Sequence, residues 1–540
     1  MSGDWAWSTA DTRRPKGRSS RTIVPFPALF ALALLPRLVA PARFVTWDEP
    51  TWAQRSTAFL RALESGDLER TFQREHPGVV TMWAGAVGAA LHRSPAAPDG
   101  PDDLDAMRAV VALLTALCVA AATMLLVPLV GGRTAGVAGV LLSFDPYLLA
   151  HSRVLHVDAI AASLALLAIL CTLRWLHAVH ADHAGRGIGW RIGAGALIGL
   201  AVVEKSPMLV LAAFVGAVVT LRLVGDVVGG RATRREAIGR WLTCGIVLAL
   251  AAAVTYVAVW PAMWVAPVAT FQRMLAYAAE GAGKAREAVF FAGRVSPDPG
   301  IALYLAAIPF RMTPLSLVGA AAGCVVAARE ARRGRWTGAL LLAWAVVFVV
   351  AMGFGAKKFE RYMLPAIPAL DVVAAIGLVA VAEAVRARWP AAARQRLGAS
   401  TATIALVAAL VLQSAAVVAH RPYYLAWYNP LLGGGPAAER VLPIGWGEGS
   451  DLVVDWLNGH LPAGSPRRVV STASDTLVAH RYLGTVVPPK KWRDAEWLVV
   501  MVDDRQIGEP EEILAAVGDR APDHVVRLNG IEYAWIWKRP

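Results

Sequence analysis

The sequence has few charged residues and few cysteines for its length. Only 17% of its 540 residues are Asp, Glu, Lys or Arg, and 56% are hydrophobic, whereas about a quarter of the residues of soluble domains are charged. This balance argues against an ordinary soluble protein. The four cysteines lie in or beside apolar segments without metal-site spacing, so we expect small buried hydrophobic side chains: Cys118, Cys171, Cys244 and Cys324.

Common catalytic and nucleotide-binding motifs are also missing. The sequence has no HExxH, paired CxxC, phosphate-binding glycine loop, dinucleotide fingerprint or GxSxG, and GGGP at 433–436 is interpreted as a backbone bend. The net charge of +13 would indicate nucleic acid in a soluble protein. Here the arginine clusters lie in short gaps between apolar segments, so no nucleic-acid partner is expected.

Long apolar segments without charged residues account for this composition. Stretches near 20 apolar residues are typical of membrane-spanning helices, and about eleven occur between residues 23 and 419. They include predicted spans at 133–148, 155–176 and 301–327. The sequence therefore predicts an all-α polytopic membrane protein embedded in a lipid bilayer.

Arginine-rich segments set the predicted orientation. The basic tail 1–22 and the later arginine-rich gaps fall on one side if the spans alternate, and membrane proteins keep such segments in the cytoplasm. The other side receives a long first outer loop, residues 42–105, which is predicted to carry helices on the membrane surface. We therefore expect a multi-pass plasma-membrane protein with a cytoplasmic N-terminus.

The composition changes after residue 420. Strand-like segments such as AEWLVVMVDD alternate with helix-like ones such as EEILAAVG. An Asn-Gly pair between two strand-like runs, in HVVRLNGIEYAWIWK, indicates a hairpin. The sequence thus predicts three parts: the tail 1–22, a transmembrane domain 23–420 and a small extracytoplasmic α/β domain 421–540.

Two adjacent acids, Asp48 and Glu49, follow the first span in FVTWDEPTW. An isolated pair of this kind most often lies in a solvated turn. Trp47 and Trp52 flank the pair, however, and Trp prefers the membrane interface. We therefore expect the two acids at headgroup level, where a carboxylate can act as a general base.

A third acid, Asp158, begins a strongly apolar segment and follows Arg153 closely. Acids within membrane spans are costly and usually functional. The alternative is a purely structural pair between Asp158 and Arg153. The residues alone leave both interpretations open.

Several cations on the outer side run against the orientation rule. Lys205 and Arg361 lie close to the bilayer plane, and a group of cations there suits a phosphate. For Lys357 and Lys358 the alternative is snorkelling from helix ends. His76 precedes a Pro-Gly pair, and a lone histidine there is as easily structural as functional.

In their order along the chain, these motifs resemble those of the GT-C superfamily of membrane glycosyltransferases. The nearest resemblance is to the protein O-mannosyltransferase branch and its bacterial relatives, including the lipid A aminoarabinose transferases. It covers residues 23–450. The motifs are WDEP (47–50), EHPG (75–78), FDPYLLAHSRVLHVD (144–158), GLAVVEKSP (199–207), ERYMLPAIPAL (360–370), YYLAWYNPLLGGGP (423–436) and IGWGEG (444–449).

The resemblance implies transfer of a sugar, such as mannose, from a polyprenyl-phosphate donor to an acceptor on the outer side. Asp48 would be the general base of an inverting reaction. Glu49 would orient the loop or the acceptor, and Asp158 with Arg153 would shape the sugar pocket. The remaining implied substrate contacts are His76, Lys205, Lys357, Lys358, Arg361 and Tyr362.

The chemistry fits these residue types independently. A lipid phosphate is a good leaving group that needs cations, whereas an acceptor hydroxyl needs a base. The chain departs from the family because it lacks the MIR insert and the second proline of the His-Pro motif. The acceptor therefore stays open among protein, lipid and glycan. No cofactor is demanded, and a divalent metal stays open because some superfamily members need one.

Two other functions compete with this one. A transporter or lipid flippase would explain many spans and buried charges, but not the long acidic outer loop and the trailing domain. Transporters also often show two similar halves, which this sequence does not. A non-catalytic scaffold would leave Asp158 and Lys205 unexplained. Sidedness separates these functions, because a transferase needs its polar residues together at one outer cavity.

Overall fold

The computed structural model describes residues 25–38, 43–74, 77–92, 102–180, 187–230, 232–283, 288–355, 357–388, 400–460, 468–472 and 482–539. Most of these residues are helical, and a small sheet lies near the C-terminus. The predicted tail 1–22 and the candidate His76 lie outside the described residues.

Long apolar helices form the body of the protein. Among the described residues, seven helices have the length and composition to cross a membrane: Leu104–Val130, Val157–Ala178, Gly187–Glu204, Ser206–Val228, Arg234–Val259, Pro314–Ala331 and Glu360–Arg388. Five apolar helices are shorter: Phe26–Leu38, Val79–Leu91, Ala302–Arg311, Thr337–Gly353 and Thr403–Val418. The polytopic helical membrane architecture is therefore confirmed, whereas the number of eleven spans stays a prediction.

Two predicted spans are each divided into two helices. The segment 133–148 breaks at Asp145, whose carboxylate accepts a hydrogen bond from the Leu148 N–H, and a new helix, Pro146–His151, begins there. The segment 301–327 breaks at Thr313, which caps Pro314–Ala331 through the Ser316 N–H. In both cases a capping side chain precedes a proline, which favours a helix start. The prediction of continuous helices was wrong there.

Neighbouring helices share one polar end. Lys205 follows the last residue of Gly187–Glu204 and contacts Asp158, in the first turn of Val157–Ala178. These two helices are therefore antiparallel. Arg361, which precedes the long apolar part of Glu360–Arg388, also reaches Asp158. The candidate residues thus gather at one end of the bundle, and Arg386 and Arg388 end the last of these helices at its other end.

The segment predicted as the first outer loop carries helices in the part that the structure describes. Glu49–Ser65 begins directly after Asp48 and is followed by a short 3-10 turn, Leu68–Thr71, and by Val79–Leu91. The last helix packs closely on Leu104–Val130, since a Cβ added at Gly88 would lie 2.5 Å from the Met107 backbone. The loop is therefore packed onto the bundle.

The C-terminal part contains a five-stranded sheet in the order β4-β3-β5-β7-β6. Its strands are β3 (Arg468–Ser471), β4 (Thr485–Val487), β5 (Trp497–Met501), β6 (His524–Leu528) and β7 (Ile531–Lys538), and β1 (Val289–Phe291) with β2 (Arg294–Ser296) forms a separate hairpin. β3 pairs in parallel with β4 and β5, whereas β7 pairs antiparallel with β5 and β6. The hairpin prediction is confirmed, and Asn529 and Gly530 both have positive φ in its turn.

Short helices complete the C-terminal part. They are Gly434–Glu439, Ser450–His460, Val502–Ile507 and Glu511–Val517, with 3-10 turns at Tyr424–Ala426, Pro430–Leu432 and Pro489–Asp494. The segment 262–300, which is predicted to lie on the outer side, carries Ala262–Val265 and Pro267–Gly283. The predicted α/β character is confirmed, although the sequence did not indicate the three-residue strand β4.

Candidate active site

Asp48 lies at the start of the helix Glu49–Ser65, but its side chain does not cap that helix. One carboxylate oxygen, Oδ2, instead accepts hydrogen bonds from Arg361 Nη2 at 3.0 Å and from Trp446 Nε1 at 2.9 Å. The side chain is 39% exposed. Oδ1 receives no hydrogen bond from any residue that the structure describes. Asp48 is thus held on one oxygen and open on the other.

Asp158 is the buried centre of the same cluster. Its side chain is only 1% exposed and forms a direct ion pair with Lys205. His156 Nδ1 lies 3.1 Å, and Arg361 Nε 3.7 Å, from Asp158 Oδ2. The alternative ion pair between Asp158 and Arg153 does not form, and Asp158 pairs with Lys205 instead.

Two cations and three aromatic rings form one wall of the cluster. Arg361 lies over the Trp446 ring at 4.7 Å and over the Phe359 ring at 4.3 Å. Lys205 Nζ lies 4.2 Å from the centre of the Tyr362 ring. These rings hold the cations in place by cation–π attraction. Arg361 and Tyr362 come from the 3-10 turn Glu360–Ala366, directly before a long apolar helix.

Glu49 is fully buried, and both of its carboxylate oxygens accept hydrogen bonds. Arg108 binds it with two donors, at 2.6 and 2.7 Å, and the backbone N–H groups of Thr46 and Leu155 donate to it at 2.9 Å each. Burial alone would raise the pKa of Glu49, but Arg108 and the two backbone donors outweigh burial and lower it. This geometry fits the predicted role of orienting the loop.

Three other predicted substrate contacts lie outside this cluster. Arg153 donates to the Pro36 carbonyl at 3.3 Å and lies over the Tyr424 ring at 4.9 Å. Lys358 donates to the carbonyls of Met352, Gly353 and Gly355 at the end of the helix Thr337–Gly353. Lys357 is its exposed neighbour. Lys358 therefore acts as a helix C-terminal cap in this structure.

The C-terminal part of the chain completes the cluster. Besides Trp446 on Asp48, Asp503 Oδ2 accepts a hydrogen bond from Trp47 Nε1 at 2.9 Å. Burial, and then the adjacent Asp504 carboxylate, raise the pKa of Asp503 to about 7. Gly447 has φ +104° and lies so close to Val45 that an added Cβ would meet the Val45 carbonyl oxygen at 2.2 Å. The IGWGEG loop and the WDEP loop therefore pack directly on each other.

Sequence analysis missed several of these residues. His156 lies within the motif FDPYLLAHSRVLHVD without a predicted role, and Trp446 lies within IGWGEG without one. Arg311 was not noted at all, although it binds Glu360 and donates to the Trp427 carbonyl at 3.0 Å and the Tyr428 hydroxyl at 2.8 Å. Only the polar character of Arg311 within an apolar stretch could have indicated it.

Metal ligands are not grouped in the described part of the chain. Within it, no three side chains of His, Cys, Asp or Glu are arranged to hold a metal ion. His76 cannot be assigned a position, because it lies outside the described residues. The cluster therefore consists of two acids, a histidine and two cations: Asp48, Asp158, His156, Lys205 and Arg361.

Comparison with known proteins agrees with this architecture. Residues 93–277, about a third of the chain, match the family model "Dolichyl-phosphate-mannose-protein mannosyltransferase". A search of curated proteins found no relative by sequence. The matched range contains Asp158 and Lys205, whereas Asp48 and Arg361 lie outside it.

Solved structures show the same fold over nearly the whole chain. The crystal structure of ArnT from Cupriavidus metallidurans bound to undecaprenyl phosphate superimposes with a TM-score of 0.52 and 17% identity, covering 94% of this chain and 97% of that one. The apo structure of the same protein gives 0.51 and 17%, covering 95% and 97%. The chain therefore shares the fold of ArnT over almost its whole length, and the fold that the resemblance implied is confirmed.

Proposed function

We propose that this protein is an integral membrane glycosyltransferase that moves a sugar from a polyprenyl-phosphate donor to an acceptor at the outer membrane face. The mannosyltransferase match and the GT-C fold support this class of enzyme. The ArnT structure bound to undecaprenyl phosphate supports a lipid phosphate as the carrier. Sugar and acceptor are left for experiment.

One observation carries the proposal. Asp48, Asp158, Lys205 and Arg361 come from four separate chain segments and meet at one end of the helix bundle, through two contacts of 3.0 and 3.7 Å and one direct ion pair. Burying ions and bringing like charges together costs free energy, so a cluster of this kind is usually retained for a function. A single cluster that combines a partly open carboxylate with cations suits group transfer from a phosphate.

The roles follow from exposure and charge. Asp48 is the exposed acid, so its free Oδ1 accepts the proton of the acceptor hydroxyl. Lys205 and Arg361 supply positive charge for the departing lipid phosphate. Asp158 is buried between these cations and fixes their positions. Attack by the acceptor on the side opposite the phosphate gives inversion at the anomeric carbon.

We further propose that the cluster faces outward, in the plasma membrane. Arg386 and Arg388 lie at the opposite end of the helix that follows Arg361, and arginine-rich ends favour the cytoplasm. The N-terminus is then inside and the C-terminal part outside. A reporter that is active only outside the cell, fused after residue 540, should be active. Activity of a cytoplasm-only reporter at the same position would contradict this orientation.

The proposed activity is tested directly with a donor panel. Purified protein in lipid nanodiscs is incubated with polyprenyl-phosphate sugars, including mannose and aminoarabinose, and with acceptors from lipid, glycan and protein fractions. Release of polyprenyl phosphate and transfer of label are measured with and without EDTA, Mg²⁺ or Mn²⁺. We expect acceptor-dependent consumption of one donor.

Two controls separate this function from its rivals. Asp48→Asn protein in the same nanodiscs should not consume the donor at an appreciable rate. Movement of intact labelled lipid between leaflets without any sugar transfer would instead favour a flippase. Absence of both activities across the whole panel would leave the transferase proposal without support.

A further inference from the structure

His156 lies between the two carboxylates of the cluster. Its Nε2 is 3.6 Å from Asp48 Oδ2, and its Nδ1 is 3.1 Å from Asp158 Oδ2. The side chain is only 8% exposed. Each ring nitrogen therefore faces a different acid, one partly open to solvent and one buried.

Aromatic packing holds the imidazole in this position. The Trp446 ring meets it edge-on at 4.9 Å and 89°, and the Trp52 ring does so at 6.0 Å and 89°. Trp446 also donates to Asp48, so one indole fixes both partners. The charged and titratable groups around His156 come from five segments: Asp48, His151, Asp158, Lys205 and Arg361.

The proposed reaction leaves Asp48 with a proton that it must lose before the next turnover. The acceptor oxygen forms a bond to the anomeric carbon, and the bond from that carbon to the phosphate oxygen breaks. The electron pair of the broken bond leaves with the lipid phosphate, and the acceptor proton moves to Asp48. A neutral Asp48 also loses the charge that binds it to Arg361 at 3.0 Å.

We propose that His156 receives this proton and so restores Asp48 as a base; the inference rests on the proposed transferase function. Freed from its ion pair, the protonated carboxyl turns about χ2, a broad two-fold torsion, and presents its proton to Nε2. Asp158 stabilises the resulting imidazolium at Nδ1, and His156 then releases the proton to water. His156 acts through Asp48 and is therefore a positioning and proton-relay residue.

The test separates the first turnover from later ones. His156→Gln keeps a side chain of similar polarity but cannot carry the proton. With enzyme in excess over donor, the first transfer should stay within about threefold of the wild-type rate. With donor in excess, the steady-state rate should fall by about 10–100-fold, up to the lower end of the usual contribution of general acid–base steps. That rate should also rise with buffer concentration, because buffer replaces the missing proton acceptor.

Chemical rescue gives a second readout. His156→Ala leaves a space of imidazole size, and added imidazole should restore part of the steady-state rate with a pH dependence that follows free imidazole base. His151→Gln is the matched control, since His151 packs on the same Trp446 ring at 5.2 Å. Within the described residues, His151 forms no ion pair with Asp48 or Asp158. His151→Gln should show neither imidazole rescue nor buffer dependence.

The outcomes distinguish this relay from other roles of His156. Equal losses in first-turnover and steady-state rates, without rescue by imidazole, would make His156 a purely structural residue and overturn the relay. Wild-type steady-state kinetics in His156→Gln would overturn it as well. Lack of transfer by the wild-type protein from every lipid-phosphate sugar would instead contradict the proposed function itself.

Discussion

Asp48 and Glu49 are neighbours in the chain, but their surroundings are opposite. Glu49 has no exposed surface and accepts four hydrogen bonds, whereas Asp48 is 39% exposed and accepts on one oxygen. The turn into the helix Glu49–Ser65 aims the two side chains in different directions. In the proposed function, Asp48 therefore meets the substrate, whereas Glu49 fixes the loop that carries Asp48.

Glu49→Gln should act on stability more than on chemistry. It would remove the closest counter-ion of the buried Arg108, which would keep Asp105 at 3.4 Å, and breaking a buried pair on one side costs up to about 3–5 kcal/mol. We expect a clearly lower melting temperature in nanodiscs, with a smaller loss of transfer per folded molecule than in Asp48→Asn. A Glu49→Gln protein with native melting but no transfer would show that Glu49 takes part in the reaction.

Lys205→Ala should weaken use of the donor. Lys205 supplies the charge nearest to Asp158, and a charge-assisted contact to phosphate is worth about 1.5–3 kcal/mol, or roughly ten- to a hundredfold. We expect a higher KM for the lipid-phosphate donor and unchanged membrane insertion. Lys490→Ala removes an exposed cation of the C-terminal part and serves as the control. Equal donor kinetics in both variants would refute the assignment of Lys205.

The sequence indicated which charged residues are candidates for the site, but not which groups their side chains contact. The rule that charges near the bilayer are functional found Asp158, Lys205 and Arg361. It could not distinguish Lys358, whose ammonium caps the helix Thr337–Gly353 through three carbonyls. Nor could it see that Arg153 turns toward Tyr424. Partners of this kind depend on three-dimensional packing, which a one-dimensional pattern does not contain.

At the scale of elements, the contact between the WDEP and IGWGEG loops builds the site. Gly445, Gly447 and Gly449 all have positive φ, which only glycine adopts readily. The resulting bend lays the Gly447 backbone against Val45 and aims the Trp446 indole at Asp48. The alternating glycines were visible in the sequence, but the loop that they contact was not.

Gly447→Ala should separate the two loops. Its Cβ would meet the Val45 carbonyl oxygen at 2.2 Å and would force alanine into a conformation that strains L-residues. We expect transfer to fall at least about tenfold, the equivalent of 1.4 kcal/mol, which is within the usual cost of one such strained residue. Donor binding should change less, because Lys205 and Arg361 lie on other segments.

Gly459→Ala is the matched control for this change. Gly459 lies in the helix Ser450–His460, and its added Cβ would meet nothing within 4 Å. Alanine favours helices over glycine, so this variant should keep native transfer and stability. Native transfer by Gly447→Ala as well would show that loop contact is not needed for activity.

At the scale of the whole molecule, the site joins segments that are far apart in sequence. Arg361 and Trp446, which donate hydrogen bonds to Asp48, lie 313 and 398 positions after it in the chain. Hydrophobic pattern and arginine distribution predicted the helical membrane architecture and a common side for the candidate residues. They could not predict that the C-terminal part closes over the first outer loop, because docking between distant elements leaves no periodic signal.

The central claim is that Asp48 is the base of a sugar transfer from a lipid phosphate. The most direct test measures donor binding and sugar transfer in one preparation of Asp48→Asn, which keeps the shape of the side chain but removes the base. The account predicts native donor binding and transfer lower by about 10²–10⁴-fold, the usual contribution of general base catalysis. Transfer at near the native rate by well-folded Asp48→Asn protein would contradict it and would move the base to Asp158.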